Sequence, residues 1–171
     1  INIARFTDQK DHITLLKSFK RINSIINAKL LLIGYGPNKK MIKNFIDKFK
    51  LYKKIKILNY QDNPYKFIKK ADLLILTSIY EGLPNVLLEA LTLKKFVISS
   101  DCPTGPREIL QNGKYGFLFK INDYKDLSNK IITYSRNKKK YRNKIQKGFD
   151  SLNRFDLEIN CKKYFNVIRK N

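Results

Sequence analysis

The sequence contains one histidine and two cysteines, and this scarcity excludes several kinds of chemistry. With His12 alone, a histidine-based metal site or a Ser-His-Asp triad has too few residues. Cys102 and Cys161 lie far apart and have neither metal-ligand nor disulfide spacing, so a reducing cytoplasm is the simplest environment. We expect Cys102 to be a small buried side chain rather than a nucleophile, and His12 to be a surface or packing residue.

Long apolar runs are also absent. No segment approaches the length of a membrane span, and the first residues show no signal-peptide pattern. The chain begins with Ile1 rather than Met, so we expect it to be a piece of something longer. Its 171 residues, 43% of them hydrophobic, suffice for one domain with a sizeable core.

Acidic residues are few, with 14 Asp and Glu against 36 Lys and Arg, so the net charge is +22. Such a charge is typical of proteins that bind nucleic acid or an anionic membrane. Lysine, isoleucine and asparagine are abundant together, however, as in chains from AT-rich genomes, and this bias explains most of the charge. For the most basic segment, residues 136–147, we predict a solvated helix face, with a membrane surface as the second alternative and nucleic acid as the third.

Strand-like and helix-like segments alternate along the chain without hairpin signals. Short apolar runs predict strands at residues 1–4, 29–33, 54–58, 71–77 and 95–100, and a last short strand near residue 119. Helices are predicted between them, the first capped by Asp8 or Asp11 and the last spanning residues 149–171, with Phe155, Tyr164, Phe165 and Ile168 buried. This order predicts an α/β fold, a Rossmann-like doubly wound parallel sheet with C-terminal helices, in which the loops after the strands meet at one edge.

The stretch SIYEGLPNVLLEAL, residues 78–91, is the most informative part of the chain. It follows a predicted buried strand, turns at Gly82 and Pro84, and begins a helix at Asn85. Main-chain N–H groups at a helix N-terminus on this edge of a sheet form an anion site. Glu81 and Glu89 bracket the site, and carboxylates there are suited to accept hydrogen bonds from ribose or hexose hydroxyls.

Two cations follow the first strand. Arg5 offers a guanidinium fork and Lys10 a point charge five residues later on the same loop, a combination that suits a diphosphate. Either residue alone could be an ordinary surface cation in so basic a chain. Their position after a strand end, on the same predicted edge as Glu81 and Glu89, favours a site.

The segment EGLPNVLLE, from Glu81 to Glu89, resembles the E-x7-E signature of retaining glycosyltransferases of the GT-B fold, glycosyltransferase family 4. Arg5 and Lys10 resemble the "GR-L…K" opening of that family, although Ala4 stands where glycine is usual. The segment TGPRE, residues 104–108, resembles a loop in members that often act on lipid-linked or lipopolysaccharide sugars. The resemblance covers nearly the whole chain, and it matches only the C-terminal, donor-binding half of such an enzyme.

The resemblance implies a Rossmann-like donor-binding domain at residues 1–150 and, at residues 151–171, a terminal helix that crosses towards a missing N-terminal acceptor domain. It implies catalytic roles for Glu81, which would contact the donor hexose, and for Arg5 and Lys10, which would neutralise the leaving diphosphate. Glu89 would accept hydrogen bonds from the ribose. The donor-binding residues that it implies are Gly34, Gly36, Tyr60, Gly82, Leu83, Pro84, Asn85 and Glu89.

The implied reaction is transfer of a hexose or N-acetylhexosamine, with retention of configuration, from a nucleoside-diphosphate sugar to a glycan or lipid-linked acceptor. UDP is the expected nucleotide, and no metal or other cofactor is expected. We expect a cytoplasmic protein without nucleic-acid partners, with the inner face of the cytoplasmic membrane as an alternative location. The expected process is lipopolysaccharide or cell-surface glycan biosynthesis.

Two other functions remain possible for a chain of this composition and fold. A nucleotide-sugar epimerase of the same fold fits poorly, because it generally needs a histidine in the cleft and His12 is the only one. A non-enzymatic basic module that binds nucleic acid or an anionic membrane is the other alternative.

Residues 92–96 replace the family's usual Gly-x-Pro turn, and the fold accommodates this departure if the turn needs no positive φ.

Overall fold

The structure is a computed structural model that describes residues 1–169. Six strands alternate with helices, as the apolar runs predict. The strands are β1 (Asn2–Ile3), β2 (Leu30–Ile33), β3 (Ile55–Leu58), β4 (Leu73–Leu76), β5 (Phe96–Ser100) and β6 (Phe117–Phe119). The helices are α1 (His12–Ile22), α2 (Lys39–Lys48), α3 (Tyr65–Lys70), α4 (Asn85–Thr92), α5 (Pro106–Ile109), α6 (Tyr124–Arg136), α7 (Arg142–Asp150) and α8 (Leu157–Ile168).

The strands form two parallel three-stranded sheets, β1-β2-β3 and β4-β5-β6. The two sheets adjoin through β1 and β4: the nitrogen of Ile1 donates to the carbonyl of Leu73 at 3.0 Å, and the N–H of Ile75 donates to Ile1 at 2.9 Å. The side-chain amide of Asn2 adds a bond to the carbonyl of Ile75 at 2.9 Å. The spatial order is therefore β3-β2-β1-β4-β5-β6, the doubly wound order, and the predicted α/β fold is confirmed.

Both faces of the sheet are covered by helices, because alternate side chains of a strand point to opposite faces. On β4, Ile75 joins a core cluster with α1, α2 and α6, whereas Leu74 and Leu76 join a second cluster with α3, α4 and α5. β5 divides in the same way, with Phe96 and Ile98 in the first cluster and Val97 in the second. This double burial explains why the strands have continuous apolar sequences.

The C-terminal part of the chain differs from its prediction. We predicted one helix over residues 149–171, but α7 ends at Asp150, a 3-10 helix covers Ser151–Phe155, and α8 begins at Leu157. Asp156 breaks the run because its backbone is extended and its carboxylate caps α8 by accepting from Ile159 N–H at 2.9 Å. Lys170 and Asn171 lie outside the described residues.

The burial predicted for this last helix is also wrong in part. Phe155 packs against the second core cluster, but on α8 the side chains of Tyr164, Phe165 and Ile168 are 73%, 64% and 71% exposed. Their apolar surface has no partner among residues 1–169, so α8 adds little to the core of this chain.

The basic segment at residues 136–147 is less solvated than we predicted. The ring of Tyr141 packs against two phenylalanines, with its centroid 5.3 Å from that of Phe96 and 5.2 Å from that of Phe117. Lys144 is half-buried and donates to the carbonyl of Gly113 at 2.5 Å, and burial lowers its pKa. Part of this segment therefore fixes α7 and the turn before β6, while most of its other cations face solvent.

Two helices end with a lysine in the left-handed region of the backbone. Lys50 follows α2 with φ 51°, and Lys94 follows α4 with φ 52°. Lys94 lies in the turn where the family's glycine is missing, and its φ is positive, so the condition under which the fold accommodates this departure without strain is not met. Lysine adopts this conformation at a cost that glycine avoids.

Replacing Lys50 with glycine should therefore raise the free energy of unfolding by roughly 1 kcal/mol, because the left-handed backbone is strained only for residues with a Cβ. Lys50 suits the test because its side chain is exposed and makes no hydrogen bond or ion pair with residues 1–169. Lys43→Gly, at an exposed position inside α2, is the control and should lower the same quantity by about 1 kcal/mol. Urea denaturation measures both, and equal destabilisation by the two variants would contradict the prediction.

Candidate functional site

The loops that follow β1 and β4 meet at the carboxyl edge of the sheet. Lys10 ends a 3-10 helix, Asp8–Lys10, and its Nζ lies 2.5 Å from Oε1 of Glu81. The two side chains are 16% and 8% exposed. The hydroxyl of Ser78 donates to the same carboxylate oxygen at 2.6 Å. The predicted convergence of Lys10 and Glu81 thus takes the form of a buried, hydrogen-bonded ion pair.

Main-chain contacts hold the same two loops in register. The N–H of Ile79 donates to the carbonyl of Gln9 at 2.8 Å, and the hydroxyl of Thr77 donates to the carbonyl of Lys10 at 2.8 Å. The side-chain amide of Gln9 donates to the carbonyl of Tyr80 at 2.9 Å. The position of Lys10 relative to Glu81 is therefore fixed by the backbone as well as by charge.

The turn before α4 leaves several donors free. Pro84 has an extended backbone, and no side chain caps the helix that starts at Asn85. Within residues 1–169, the main-chain N–H groups of Gly82, Leu83, Asn85 and Val86 donate to no acceptor. Gly82, Leu83 and Asn85 are exposed, while Pro84 is buried. Free N–H groups at a helix N-terminus carry partial positive charge, so this turn suits an anion.

Glu89 lies one helical turn after Asn85 and is half-buried, and this burial raises the pKa of its carboxyl. Arg5 is exposed on the loop after β1 and makes no ion pair with any residue in the described range. Arg5 and Glu89 therefore belong to the segments that follow β1 and β4, and their roles in donor binding stay predictions. Glu89 is suited to accept hydrogen bonds, and Arg5 is available to an anionic ligand.

The loop after β2 packs directly on the loop after β1. The N–H of Phe6 donates to the carbonyl of Tyr35 at 2.7 Å, and a Cβ on Gly34 or Gly36 would overlap the main chain of Ala4 or Phe6. Both predicted glycines are therefore required by this close approach, whether or not they contact a ligand. Their role in donor binding stays a prediction.

Two exposed tyrosines stand at the mouth of this edge. Tyr35 and Tyr60 follow neighbouring strands, and their rings meet edge to face with centroids 6.4 Å apart. Asn59, which precedes Tyr60, accepts a hydrogen bond from Lys39 at 2.6 Å through its side-chain carbonyl. Tyr60 was predicted from the sequence, but Tyr35 was missed, although its position between the two glycines of the G-x-G turn was a usable signal.

The loop after β5 was also missed as part of the site. Asp101 and Arg107 form a two-pronged ion pair, with Arg107 Nε to Asp101 Oδ1 at 2.8 Å and Nη2 to Oδ2 at 2.6 Å. The Arg107 guanidinium lowers the pKa of the Asp101 carboxyl. Thr104, on the same loop, donates to the main-chain carbonyl of Glu81.

The sole histidine and the internal cysteine belong to the core. His12 is 1% exposed and packs edge to face on Phe6, with ring centroids 5.0 Å apart. Neither ring nitrogen has a partner among the described residues. Burial, and then the nearby Lys10 charge, lower the pKa of His12 to about 4. Cys102 is buried, and burial raises the pKa of its thiol. The expected packing roles of both residues are confirmed.

In the described part of the chain, no three His, Cys, Asp or Glu side chains are grouped as a metal ion would require. Across the same residues, no helix has the length and apolar character needed to traverse a bilayer.

The fold and the edge site together define one half of a GT-B fold. Two solved structures are similar: HepE from Anabaena in complex with UDP, with a TM-score of 0.90 and 19% identity over 99% of this chain and 48% of that one, and TarM from Staphylococcus aureus, with a TM-score of 0.90 and 24% identity over 97% of this chain and 34% of that one. The sequence matches the glycosyl transferases group 1 family over residues 1–150. The chain belongs to this family.

The sequence relatives of the chain are also glycosyltransferases. An uncharacterized glycosyltransferase from Methanocaldococcus jannaschii is 37% identical, over 92% of this chain and 46% of the relative. An N-acetylgalactosaminyltransferase from Campylobacter jejuni is 27% identical, over 89% of this chain and 43% of the relative. Its name gives a diphospho-undecaprenol-linked sugar as its acceptor. The chain spans less than half the length of these relatives.

The buried His12 predicts a pH dependence of folding. Its pKa is about 4 in the folded chain and ordinarily 6.5, so below pH 6.5 the unfolded chain binds a proton that the folded chain does not. The free energy of unfolding should therefore fall between pH 6.5 and 4, by up to roughly 3 kcal/mol from this residue.

His12→Phe keeps an aromatic ring against Phe6 without a titrating group. Urea denaturation at pH 7 and pH 4.5 should show a loss of stability about 2 kcal/mol larger in the parent chain than in the variant. Carboxylates, including Asp11, whose pKa burial raises, titrate in both proteins and cancel in the comparison. Equal losses in the two proteins would show that His12 does not cause the effect.

Proposed function

We propose that this chain is the donor-binding half of a glycosyltransferase that transfers a hexose or N-acetylhexosamine from a nucleoside-diphosphate sugar, with UDP as the nucleotide, to a glycan or lipid-linked acceptor with retention of configuration. The observation that carries the proposal is the Lys10–Glu81 ion pair, followed in the chain by the free N–H groups of Gly82, Leu83, Asn85 and Val86. A cation, a carboxylate and a helix N-terminus together offer partners for both a diphosphate and a sugar hydroxyl.

Donor binding would exchange the partners of this pair. Diphosphate oxygens would take over Lys10, with Arg5 and the N–H groups before α4 sharing the charge, and a hexose hydroxyl would donate to Glu81. Charge that develops on the leaving diphosphate would then meet donors already in place, which is the most effective form of electrostatic stabilisation. In this proposal, these groups neutralise the diphosphate as Mg²⁺ does in other enzymes, and no metal ion is needed.

The remaining predicted residues fit around that centre. Glu89, half-buried one turn further along α4, would accept hydrogen bonds from the ribose hydroxyls. Tyr60, with Tyr35 beside it, would border the base. Leu83, Pro84 and Asn85 would contribute main-chain contacts to the diphosphate and sugar. Gly34 and Gly36 would line the cleft where the first two loops meet.

The choice of donor and acceptor draws on the relatives. HepE and TarM have each been solved with UDP bound, which supports UDP as the nucleotide. A Salmonella typhimurium relative, 29% identical, is a lipopolysaccharide 1,6-galactosyltransferase, and the C. jejuni relative uses a diphospho-undecaprenol-linked acceptor. Retention of configuration is inferred from the E-x7-E resemblance.

The acceptor site would lie on a second, N-terminal domain. Two observations support this part of the proposal: the chain spans 46% of its M. jannaschii relative, and the apolar side chains of α8 are exposed. Residues 1–150 would be the donor domain, and α8 would cross towards the other one. The proposed location is the cytoplasm, on or near the inner face of the membrane that carries the acceptor.

The alternatives have less support. An epimerase would need a histidine in the cleft, and His12 is buried with a pKa of about 4. Most cations of residues 136–147 do face solvent, as those of a nucleic-acid module would, but the sequence relatives are glycosyltransferases.

Thermal unfolding in the presence of UDP, GDP, ADP and CDP tests the proposal. Ligand at 100 times its dissociation constant stabilises the folded state by about 2.7 kcal/mol, which raises the Tm of a chain of this size by roughly 5–10 °C. We expect UDP to give this shift. Arg5→Ala and Glu89→Ala should abolish it, because they remove a diphosphate partner and a ribose partner.

Two exposed residues away from the edge provide controls. Arg21→Ala on α1 and Glu158→Ala on α8 make the same changes of charge and should keep the UDP shift. If no diphosphate stabilises the chain, while DNA or anionic vesicles bind with a steep dependence on salt, the transferase proposal is wrong and the basic charge itself is the function.

Gly82→Ala should distinguish an effect on sugar binding from an effect on stability. Gly82 is exposed, its φ is not positive, and a Cβ there would meet no atom within 4 Å. The substitution should therefore leave Tm unchanged or slightly raised. It should nevertheless weaken binding of UDP-glucose or UDP-N-acetylglucosamine in titration calorimetry, because the methyl group enters the space proposed for the sugar. Unchanged affinity for both would place the sugar elsewhere.

A further inference from the structure

The loop after β5 supports the turn that carries Glu81. The hydroxyl of Thr104 donates to the main-chain carbonyl of Glu81. Gly105 touches the same turn, since a Cβ there would overlap the carbonyl of Gly82 and the ring of Pro84. Thr104 and Gly105 thus contact the backbone of residues 81–84, although neither reaches the carboxylate of Glu81.

The contact restricts the turn on one side only. Gly105 has φ 70° and no room for a side chain, so it fits the turn closely. Gly82 itself is exposed, and a Cβ on it would meet nothing within 4 Å. The β5 loop therefore packs against the turn while leaving Gly82 open to solvent.

The supporting loop is itself well anchored. Asp101 N–H donates to the carbonyl of Phe119 at 2.8 Å, and the Asp101 carboxylate is held by Arg107 through two bonds. Cys102 is buried, and the hydroxyl of Ser100 donates to the carbonyl of Ser78 at 2.5 Å. Because the loop is tied to β6, to α5 and to the β4 loop, it can hold the turn in one conformation.

We infer that Thr104 is a positioning residue that sets the place of Glu81 for the donor hexose and so contributes to discrimination between sugars. This inference rests on the proposed function, because it assigns the hexose to Glu81. Thr104 acts through the backbone of the turn and does not contact the substrate. Ser78, which donates to the Glu81 carboxylate, supports the same position from the β4 side.

The test compares affinities for UDP with affinities for UDP-glucose and UDP-N-acetylglucosamine. Thr104→Val removes the hydroxyl at constant shape, on an exposed side chain, so the fold should tolerate it. We expect about fivefold weaker binding of the preferred nucleotide sugar, the equivalent of one ordinary hydrogen bond, and an unchanged affinity for UDP. Thr104→Ser should restore sugar binding. Thr133→Val, exposed on α6, is the matched control and should change neither affinity.

Glu81→Gln serves as the reference variant, with reduced affinity for the nucleotide sugar. If the parent chain binds UDP and a UDP-sugar, but Thr104→Val changes neither affinity or weakens both equally, the positioning role is wrong and Thr104 supports only the fold. If the parent chain binds neither UDP nor a UDP-sugar, the proposed function fails first and this inference falls with it. A loss confined to the sugar complex, rescued by serine, supports the inference.

Discussion

The site depends on the junction between β1 and β4. Ile1 makes two hydrogen bonds to β4: its nitrogen donates to the carbonyl of Leu73, and its carbonyl accepts from the N–H of Ile75, so β1 and β4 are neighbours at the centre of the sheet. Parallel neighbours must end at the same edge, so their following loops lie side by side. Lys10 and Glu81, 71 residues apart in sequence, meet for this reason. The constraint comes from the fold as a whole, and the chemistry of the edge follows from it.

The buried pair at this edge also has an energetic consequence. Removing one partner from a buried, hydrogen-bonded ion pair costs about 3–5 kcal/mol, because the other charge is left without compensation. A ligand that separates Lys10 from Glu81 leaves the carboxylate with Ser78 alone, whereas one that binds only through Arg5 and the N–H groups before α4 leaves the pair intact. In the proposed function, the diphosphate of a nucleotide sugar would take Lys10 and a sugar hydroxyl would take Glu81, so each charge would keep a partner.

The sequence predicted the parts of this structure that local patterns determine. Apolar runs located all six strands, and the strand-turn-helix order placed Glu81 and Glu89 at the sheet edge. The features that were missed depend on contacts distant in sequence or on backbone strain. Thr104 meets Glu81 across 23 residues, and no local pattern shows that bond. Hydrophobic periodicity also does not record the left-handed backbone of Lys94, or the cap by which Asp156 ends one helix and begins the next.

Gly105 and Gly82 lie where the β5 and β4 loops touch, and they differ in whether the fold requires a glycine. Gly105 is required by its positive φ and by the backbone of Gly82 and Pro84 against it, so the fold alone accounts for it. Gly82 has no positive φ, and a Cβ on it would meet no atom within 4 Å, so neither backbone strain nor a close contact requires glycine there. In the proposed function, the space that Gly82 leaves beside the turn would admit the sugar of the donor.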